Sequence, residues 1–296
     1  MGNLSMLGLI GFGVMGEGIA KNLVKSGYNL IVYDIRSEVK EKVTEIGALF
    51  ASSLEEVYRK SDVVFLSLPS PREVEEALLK DNVIKEIRKG IFIVNFSTIG
   101  AKASIRIADR IRRLGAKFID APVSRGPQEE PWKIHLIMVS ADSEEDFQAV
   151  HDVLKVIGEN IIYIGHIGLS QAVKLANNYM CAINFFGVIE AFAWIIKHGL
   201  DPNILLKIAP MTPGDSWALR NLVPRMLNGD FKPRFKLMYK DVALFLEEAY
   251  DLGLPMPIGS LAHQFLQAAK TEWKNEDWIS VVKLYERMTG VKLKKV

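Results

Sequence analysis

Three glycines at 11, 13 and 16 and an acid at 34 carry the plainest chemical signal in this chain. Gly11-Phe12-Gly13-Val14-Met15-Gly16 follows a short apolar run containing Leu7, Leu9 and Ile10. A helical pattern then runs to about Ser26, Gly27 ends it, and a second apolar run at 30–33 closes on Asp34. Gly11 permits a tight turn, Gly13 lets backbone come close to a ligand, and Gly16 lets a helix pack closely on a strand. A helix starting there presents unsatisfied N–H groups and a partial positive charge, which suits a pyrophosphate. A carboxylate ending the second strand accepts hydrogen bonds from ribose hydroxyls and repels a 2′-phosphate. The pattern therefore predicts a nicotinamide dinucleotide, with the six residues from Gly11 to Gly16 at its pyrophosphate and Asp34 at its ribose. NAD is preferred, with NADP as the alternative. Arg36, two residues further on, reads as a solvated loop charge. It would otherwise be a bidentate partner for a 2′-phosphate, which keeps NADP open.

A second group could move a proton. Lys174 and Asn178 lie four apart in a helical pattern and share a face, which Cys181 and Phe185 continue with apolar side chains. The lysine thus stands at the rim of something buried. Partial desolvation and a nearby nicotinamide cation would both lower its proton affinity, making it a candidate general acid/base. The alternative is an ordinary snorkelling lysine. Three strand-like runs end in residues able to line the nicotinamide half of a cofactor. They are LSLPS at 66–70, Asn95-Phe96-Ser97-Thr98, and DAPVSRG at 120–126. Taken singly, each is also a common strand exit.

The elements that must position these residues follow from periodicity. Apolar strand-like runs at 63–68, 91–95, 117–120, 134–140 and 161–164 alternate with amphipathic helical runs at 37–46, 72–87, 102–114 and 144–157. Strands of this kind, alternating with helices, predict a mostly parallel sheet covered on both faces. From about Gly168 only helical patterns follow. The expected fold is α/β: a Rossmann-like, doubly wound domain over 1–166 and an all-helical domain over 167–296, joined by a long helix at 170–198. Part of that helix, 179–196 (YMCAINFFGVIEAFAWII), is as long and apolar as a membrane span. Asn184, Gly187 and Glu190 interrupt it, and a helix buried on all sides, in a core or a subunit interface, explains it better.

Composition narrows the function. The 296 residues carry a formal net charge of +2, which offers no case for nucleic acid or a membrane surface. One cysteine, Cys181, precludes an internal disulfide and fits a reducing cytoplasm; its apolar neighbours predict a buried structural thiol. The N-terminus lacks the charged and apolar regions of a signal peptide. No metal site is expected.

Four runs in order, GLIGFGVMGEGIAKNL at 8–23, DAPVS at 120–124, KLANN at 174–178 and KD at 240–241, resemble the β-hydroxyacid dehydrogenases over essentially the whole chain. That group contains 3-hydroxyisobutyrate dehydrogenase and tartronate semialdehyde reductase. The resemblance implies a Rossmann domain, an all-helical second domain and hydride transfer on small 3-hydroxy acids. It makes Lys174 the catalytic lysine, Asn178 a holder of the substrate, and Ser124 a binder of the substrate carboxylate. Leu68, Pro69 and Thr98 become cofactor contacts, and Lys240 a lysine that closes over the cofactor. Without the resemblance, Lys240 reads as a surface charge pair with Asp241. With the single cysteine, this leads us to expect a soluble cytoplasmic enzyme, and the apolar helix predicts a homodimer or homotetramer.

The departures from the family pattern fall around the substrate. The family reads DAPVSGG, then a loop and a strand ending in glycines; this chain reads DAPVSRGPQEEPWKIHLIMVS. Arg125 replaces a glycine beside the expected carboxylate site. It would pair with the substrate carboxylate or a second acidic group, or point outwards, with Gly126 supplying backbone next to it. Pro127, Pro131 and Trp132 occupy the loop, and Ser170 replaces the usual glycine ahead of Lys174. Three rivals share the architecture. Imine-reducing relatives tend to lack the lysine, a non-catalytic dinucleotide sensor would not need it, and 6-phosphogluconate dehydrogenase has a much longer helical domain.

Overall fold

The computed structural model describes residues 6–125, 134–233 and 237–294. The chain divides into two compact units, Met1–Lys174 and Leu175–Val296.

The first unit opens with β1 (Leu7–Ile10), α1 (Val14–Lys25) and β2 (Leu30–Tyr33). A 3-10 turn (Ser37–Val39) then leads into α2 (Lys40–Glu45), β3 (Leu49–Phe50), α3 (Leu54–Lys60) and β4 (Val63–Leu66). The chain continues through α4 (Pro71–Leu79), α5 (Asp81–Ile84), β5 (Phe92–Asn95), α6 (Ala101–Arg113) and β6 (Lys117–Asp120). It ends with β7 (Val123–Arg125), β8 (Ile134–Ala141), α7 (Glu144–Ile157), β9 (Gly158–Gly165) and the first turn of α8 (Leu169–Lys197). The sheet order is β3-β2-β1-β4-β5-β6-β8-β7, with β9 on the other edge of β8. Strands β1 to β6 are parallel, whereas β8 runs antiparallel to both β6 and β7.

Alternation along each strand sends neighbours to opposite faces. Leu9, Val32, Phe65 and Val94 pack against Ile19 and Leu23 of α1 and Val150 of α7. Ile10, Ile31, Val64 and Ile93 pack against Val57 of α3, Leu78 of α4 and Ile107 of α6. This is the doubly wound, mostly parallel architecture that the periodicity predicts. The register also matters for function. Tyr33, Ile10, Leu66, Asn95 and Asp120, the last residues of five strands, pair in one row across the sheet. Every residue that follows them emerges on the same rim. Between β1 and β4 the strand order reverses, which is where open α/β sheets form their ligand crevice.

Locally the structure departs from the simple reading. The single helices expected at 37–46 and 72–87 are each broken, the second by Lys80, whose extended backbone (φ −64°, ψ 142°) separates α4 from α5. β3, α3 and β7 are not among the elements that the periodicity predicts. Yet α3 has a readable start: Ser53 caps it by accepting from Glu56 N–H, and the Glu56 carboxylate reaches back to Ser52 N–H (2.8 Å), a variant of the capping box.

Helices are the only regular elements among the second unit's described residues. The rest of α8 packs with α9 (Pro202–Ile208), α10 (Trp217–Leu227), α11 (Met238–Asp251), α12 (Pro257–Glu272) and α13 (Val282–Thr289). Ala182, Phe185, Ile189 and Phe192 of α8 enter a core with Leu222 of α10, Val242 of α11 and Leu266 of α12. Cys181 is partly buried at its edge. Among the described residues α8 is the one helix long and apolar enough to cross a membrane; within this chain it is not buried on all sides, since Met180, Asn184, Gly187, Ala191 and Trp194 are exposed. A hydrophobic run with both an inner and an outer apolar face shows no amphipathic period, which is why the sequence implied burial all round.

Candidate active site

The glycine turn leaves β1 at the reversal of strand order. Gly11 has φ +97°, and a Cβ there would collide with the Ser67 carbonyl, while a Cβ on Gly16 would collide with the Gly11 carbonyl. Packing within the unit therefore demands both glycines. Gly13 differs: a Cβ there would meet nothing within 4 Å. It is the N-cap of α1, and no side chain caps that first turn. Open space in front of uncapped N–H groups is what a pyrophosphate needs, so these residues fit a dinucleotide.

Asp34 follows β2 on the same rim. Its Oδ2 accepts from Phe12 N–H at 2.7 Å, tying the end of β2 to the glycine turn. Arg36 takes the remaining positions: its backbone N–H and Nε donate to Oδ1 (both 2.9 Å) and Nη2 donates to Oδ2 (3.0 Å). Nη2 also donates to the Phe12 carbonyl at 3.1 Å. Burial alone would raise the Asp34 carboxyl; the Arg36 guanidinium and the two backbone N–H groups outweigh it and hold the carboxyl below its ordinary range. Arg36 is thus not a loop charge in free solvent. Its side chain is half exposed (49%), but its guanidinium is forked onto a carboxylate that is 8% exposed.

The next strand ends are joined by buried polar groups. Leu68 N–H donates to Ser97 Oγ at 2.8 Å, and Pro69 beyond it is exposed. Thr98 is half-buried in the loop after β5, flanked by buried Ser97 and Ile99. Asp120, fully buried at the end of β6, accepts from Gln171 Nε2 (2.9 Å), Asn95 Nδ2 (3.2 Å), Gly168 N–H (3.3 Å) and the Ser104 hydroxyl. Burial pushes its carboxyl up against the pull of those donors. Sequence reasoning singled out neither Ser104 nor Gln171. The only available signal was a polar residue on the apolar face of a helix, as Ser104 is between Ala103 and Ile107.

Lys174 is half-buried on α8, one turn beyond this cluster. Ser124 is half-buried on β7 and pairs with Leu136 of β8. Arg125 ends β7, its backbone paired with Ile134, while Gly126 and the rest of the loop to 133 lie outside the described residues. In the second unit, Asn178 Nδ2 donates to Asp241 Oδ2 at 2.7 Å and Lys240 Nζ lies 2.9 Å from Asp241 Oδ1. Lys240 and Asp241 do pair, but not at the surface, since their side chains are 14% and 10% exposed. One carboxylate on α11 therefore organises Lys240 beside it and Asn178 on α8.

Known proteins match this arrangement along the chain. Residues 6–165 match the family described as the NAD binding domain of 6-phosphogluconate dehydrogenase. Residues 168–285 match the NAD-binding region of NADP-dependent 3-hydroxyisobutyrate dehydrogenase. The mitochondrial 3-hydroxyisobutyrate dehydrogenase of Mus musculus is 35% identical over 292 residues, 95% of this chain and 87% of the relative. The chain belongs to the β-hydroxyacid dehydrogenase family.

As a member of that family it is an NAD(P)-dependent oxidoreductase acting on CH–OH groups. Another relative, the 2-(hydroxymethyl)glutarate dehydrogenase of Eubacterium barkeri, is 31% identical over 290 residues, 96% of each chain. The solved 3-hydroxyisobutyrate dehydrogenase of Mycobacterium tuberculosis, in a structure with L-serine, shares the fold with a TM-score of 0.85. It is 24% identical and covers 95% of this chain and 99% of its own. In this dehydrogenase Ser170, ahead of Lys174, and Ser140 of β8, both fully buried, hydrogen-bond through their hydroxyls at 2.8 Å. Each hydroxyl supplies the partner that burial of the other requires.

Proposed function

We propose that this β-hydroxyacid dehydrogenase oxidises a small 3-hydroxy acid of the 3-hydroxyisobutyrate type, with Lys174 as general acid/base. One observation carries the reading. Gln171, on the first turn of α8, is bonded to the loop that holds Thr98 and to Asp120 at the end of β6. Lys174 follows three residues later, about 4.5 Å along the helix axis, on a helix that starts at the rim where the glycine turn opens.

Ser124 would hold the substrate carboxylate with backbone N–H groups next to it, among them that of Gly126. Arg125 would add a bidentate pair to that carboxylate or to a second acidic group. The dinucleotide, when bound, supplies the hydride acceptor. In oxidation the neutral Lys174 Nζ takes the proton of the substrate hydroxyl as hydride leaves the carbon that bears this hydroxyl. In reduction the protonated Nζ polarises the carbonyl oxygen and gives the proton back. Asn178 Nδ2 is committed to Asp241, and its Oδ1, which accepts from Asn177 Nδ2 at 3.3 Å, has a second lone pair that would accept from the substrate hydroxyl or from Nζ. Thr98, Leu68 and Pro69 would line the nicotinamide half, and Lys240 would close over the cofactor. Asp34 makes NAD the preferred cofactor over NADP.

The same reading makes residues 1–166 the cofactor domain and residues 167–296 the substrate and oligomerisation domain of a soluble, cytoplasmic homodimer or homotetramer. The outward apolar side chains of α8 support the oligomer, and sedimentation equilibrium tests it. The activity is tested by following reduced-cofactor absorbance with 3-hydroxyisobutyrate, 3-hydroxypropionate, serine, glycerate and threonate, each with NAD and NADP. Turnover is expected on at least one, and Lys174→Ala should lower it by about 10²–10⁴. A Lys174→Ala variant within threefold of wild type would end the acid/base role. Turnover of cyclic imines alone would move the assignment to an imine reductase.

A further inference from the structure

We infer that Gln171 is a positioning residue: anchored on Asp120, it fixes where Lys174 stands relative to the loop of Thr98. The inference rests on the assignment of Lys174 made above. Gln171 is fully buried, and both ends of its amide are committed. Nε2 donates to Asp120 Oδ1 (2.9 Å) and to the Ser97 carbonyl (3.0 Å), and Oε1 accepts from Ile99 N–H (2.9 Å) and Gly100 N–H (3.3 Å). Asn95 completes the frame from β5. Its Nδ2 donates to the Ser97 carbonyl and Asp120 Oδ1 (both 3.2 Å), and its Oδ1 accepts from Ser97 N–H (3.0 Å).

The cluster joins the segments that carry the first unit's share of the site. Ser97 Oγ holds Leu68 N–H, Gln171 holds the two amides after Thr98, and Asp120 holds Gly168 N–H just ahead of α8. A role in stability alone would not need this chemistry, because well-packed apolar side chains commonly replace buried polar groups without loss. What apolar packing does not supply is direction. A side-chain amide bonded on four sides fixes both the rotation and the axial position of the helix turn that bears it. Lys174, three residues on, inherits both. A displacement of about 1 Å in a group that transfers a proton costs roughly 10²-fold in rate.

Gln171→Met keeps the length and most of the volume of the side chain and removes its hydrogen bonds. In a folded variant we expect kcat to fall about tenfold to a hundredfold. KM for the hydroxy acid and the dissociation constant of the reduced cofactor should stay within threefold, and the pH profile of kcat should shift. Hydrogen exchange at Ile99 and Gly100 should accelerate. Gln171→Glu gives a signature that plain destabilisation would not. Its protonated form restores a donor and an acceptor, whereas its ionised form faces the Asp120 carboxylate. Its activity in the reduction direction, relative to wild type at each pH, should therefore recover as pH falls. If Gln171→Met does not fold, Ser104→Ala removes one donor from Asp120 and should lower kcat in the same direction by severalfold.

A folded Gln171→Met with kcat within threefold of wild type and a superimposable pH profile would overturn the inference. If wild type turns over none of the hydroxy acids, the proposed reaction fails separately, and placement is read from the acetylation rate of Lys174 by mass spectrometry. A severalfold change in that rate between wild type and Gln171→Met supports positioning, and equal rates overturn it.

Discussion

Removing the Arg36 side chain should tighten NAD and weaken NADP. Asp34 accepts from Phe12 N–H, Arg36 N–H, Nε and Nη2 at 2.7 to 3.0 Å, and these four donors use the lone pairs that a ribose hydroxyl needs. The two backbone donors are fixed by the turn. Ribose hydroxyls must therefore displace the guanidinium, on a side chain that is 49% exposed. A half-exposed ion pair is worth about 1 kcal/mol, so Arg36→Ala should lower the NAD dissociation constant about fivefold. A 2′-phosphate uses Arg36 as a partner, and losing that exposed contact should weaken NADP about tenfold. The ratio then moves about fiftyfold towards NAD, and moves less in 1 M salt, where the pair is screened. Fluorescence titration of wild type and Arg36→Ala with each cofactor, at low and high salt, reads this directly. Unchanged or weaker NAD binding in the variant would show that Arg36 does not occupy the ribose position on Asp34.

The remaining predictions concern other parts of the same frame. Gly13→Ala should leave the melting temperature nearly unchanged yet cost at least tenfold in dinucleotide affinity, since its Cβ meets only the space in front of α1. Gly16→Ala should instead destabilise the fold by about 2–4 kcal/mol, because its Cβ would strike the Gly11 carbonyl; thermal unfolding separates the two. Asp34 is held below its ordinary value of 3.8, so its stabilising contribution is present above that pH and is lost as pH falls through the depressed value. The stability gap between wild type and Asp34→Asn should be flat at neutral pH and shrink in acid; a gap that widens in acid would contradict this. Asp241→Ala removes the acceptor of the Asn178 amide and the buried carboxylate beside the Lys240 ammonium, and should cost about 3 kcal/mol in urea unfolding.

The parts of this protein legible in its sequence are those whose cause is local. The glycine turn is set by sterics at Gly11 and Gly16, the strands by runs of apolar residues, the helices by their 3.6 period, and the acid at 34 by its place after β2. Each needs only a few neighbouring residues to be specified, so each is written where it acts. Arg36 marks the limit. Its charge was visible, but not that it forks onto Asp34 and the Phe12 carbonyl, because Phe12 is brought there by β1 pairing with β2. Lys240 is a similar case: its adjacency to Asp241 was plain, and its burial beside Asn178 depends on α11 packing near α8. The cluster around Asp120 had no local signature at all. Gln171 reaches Asp120 across 51 residues and Ile99 across 72. What tertiary structure decided was the partner of each buried polar group. Such a group must be paired once it leaves water, and which partner is at hand depends on strand order and register, which no short stretch of sequence contains.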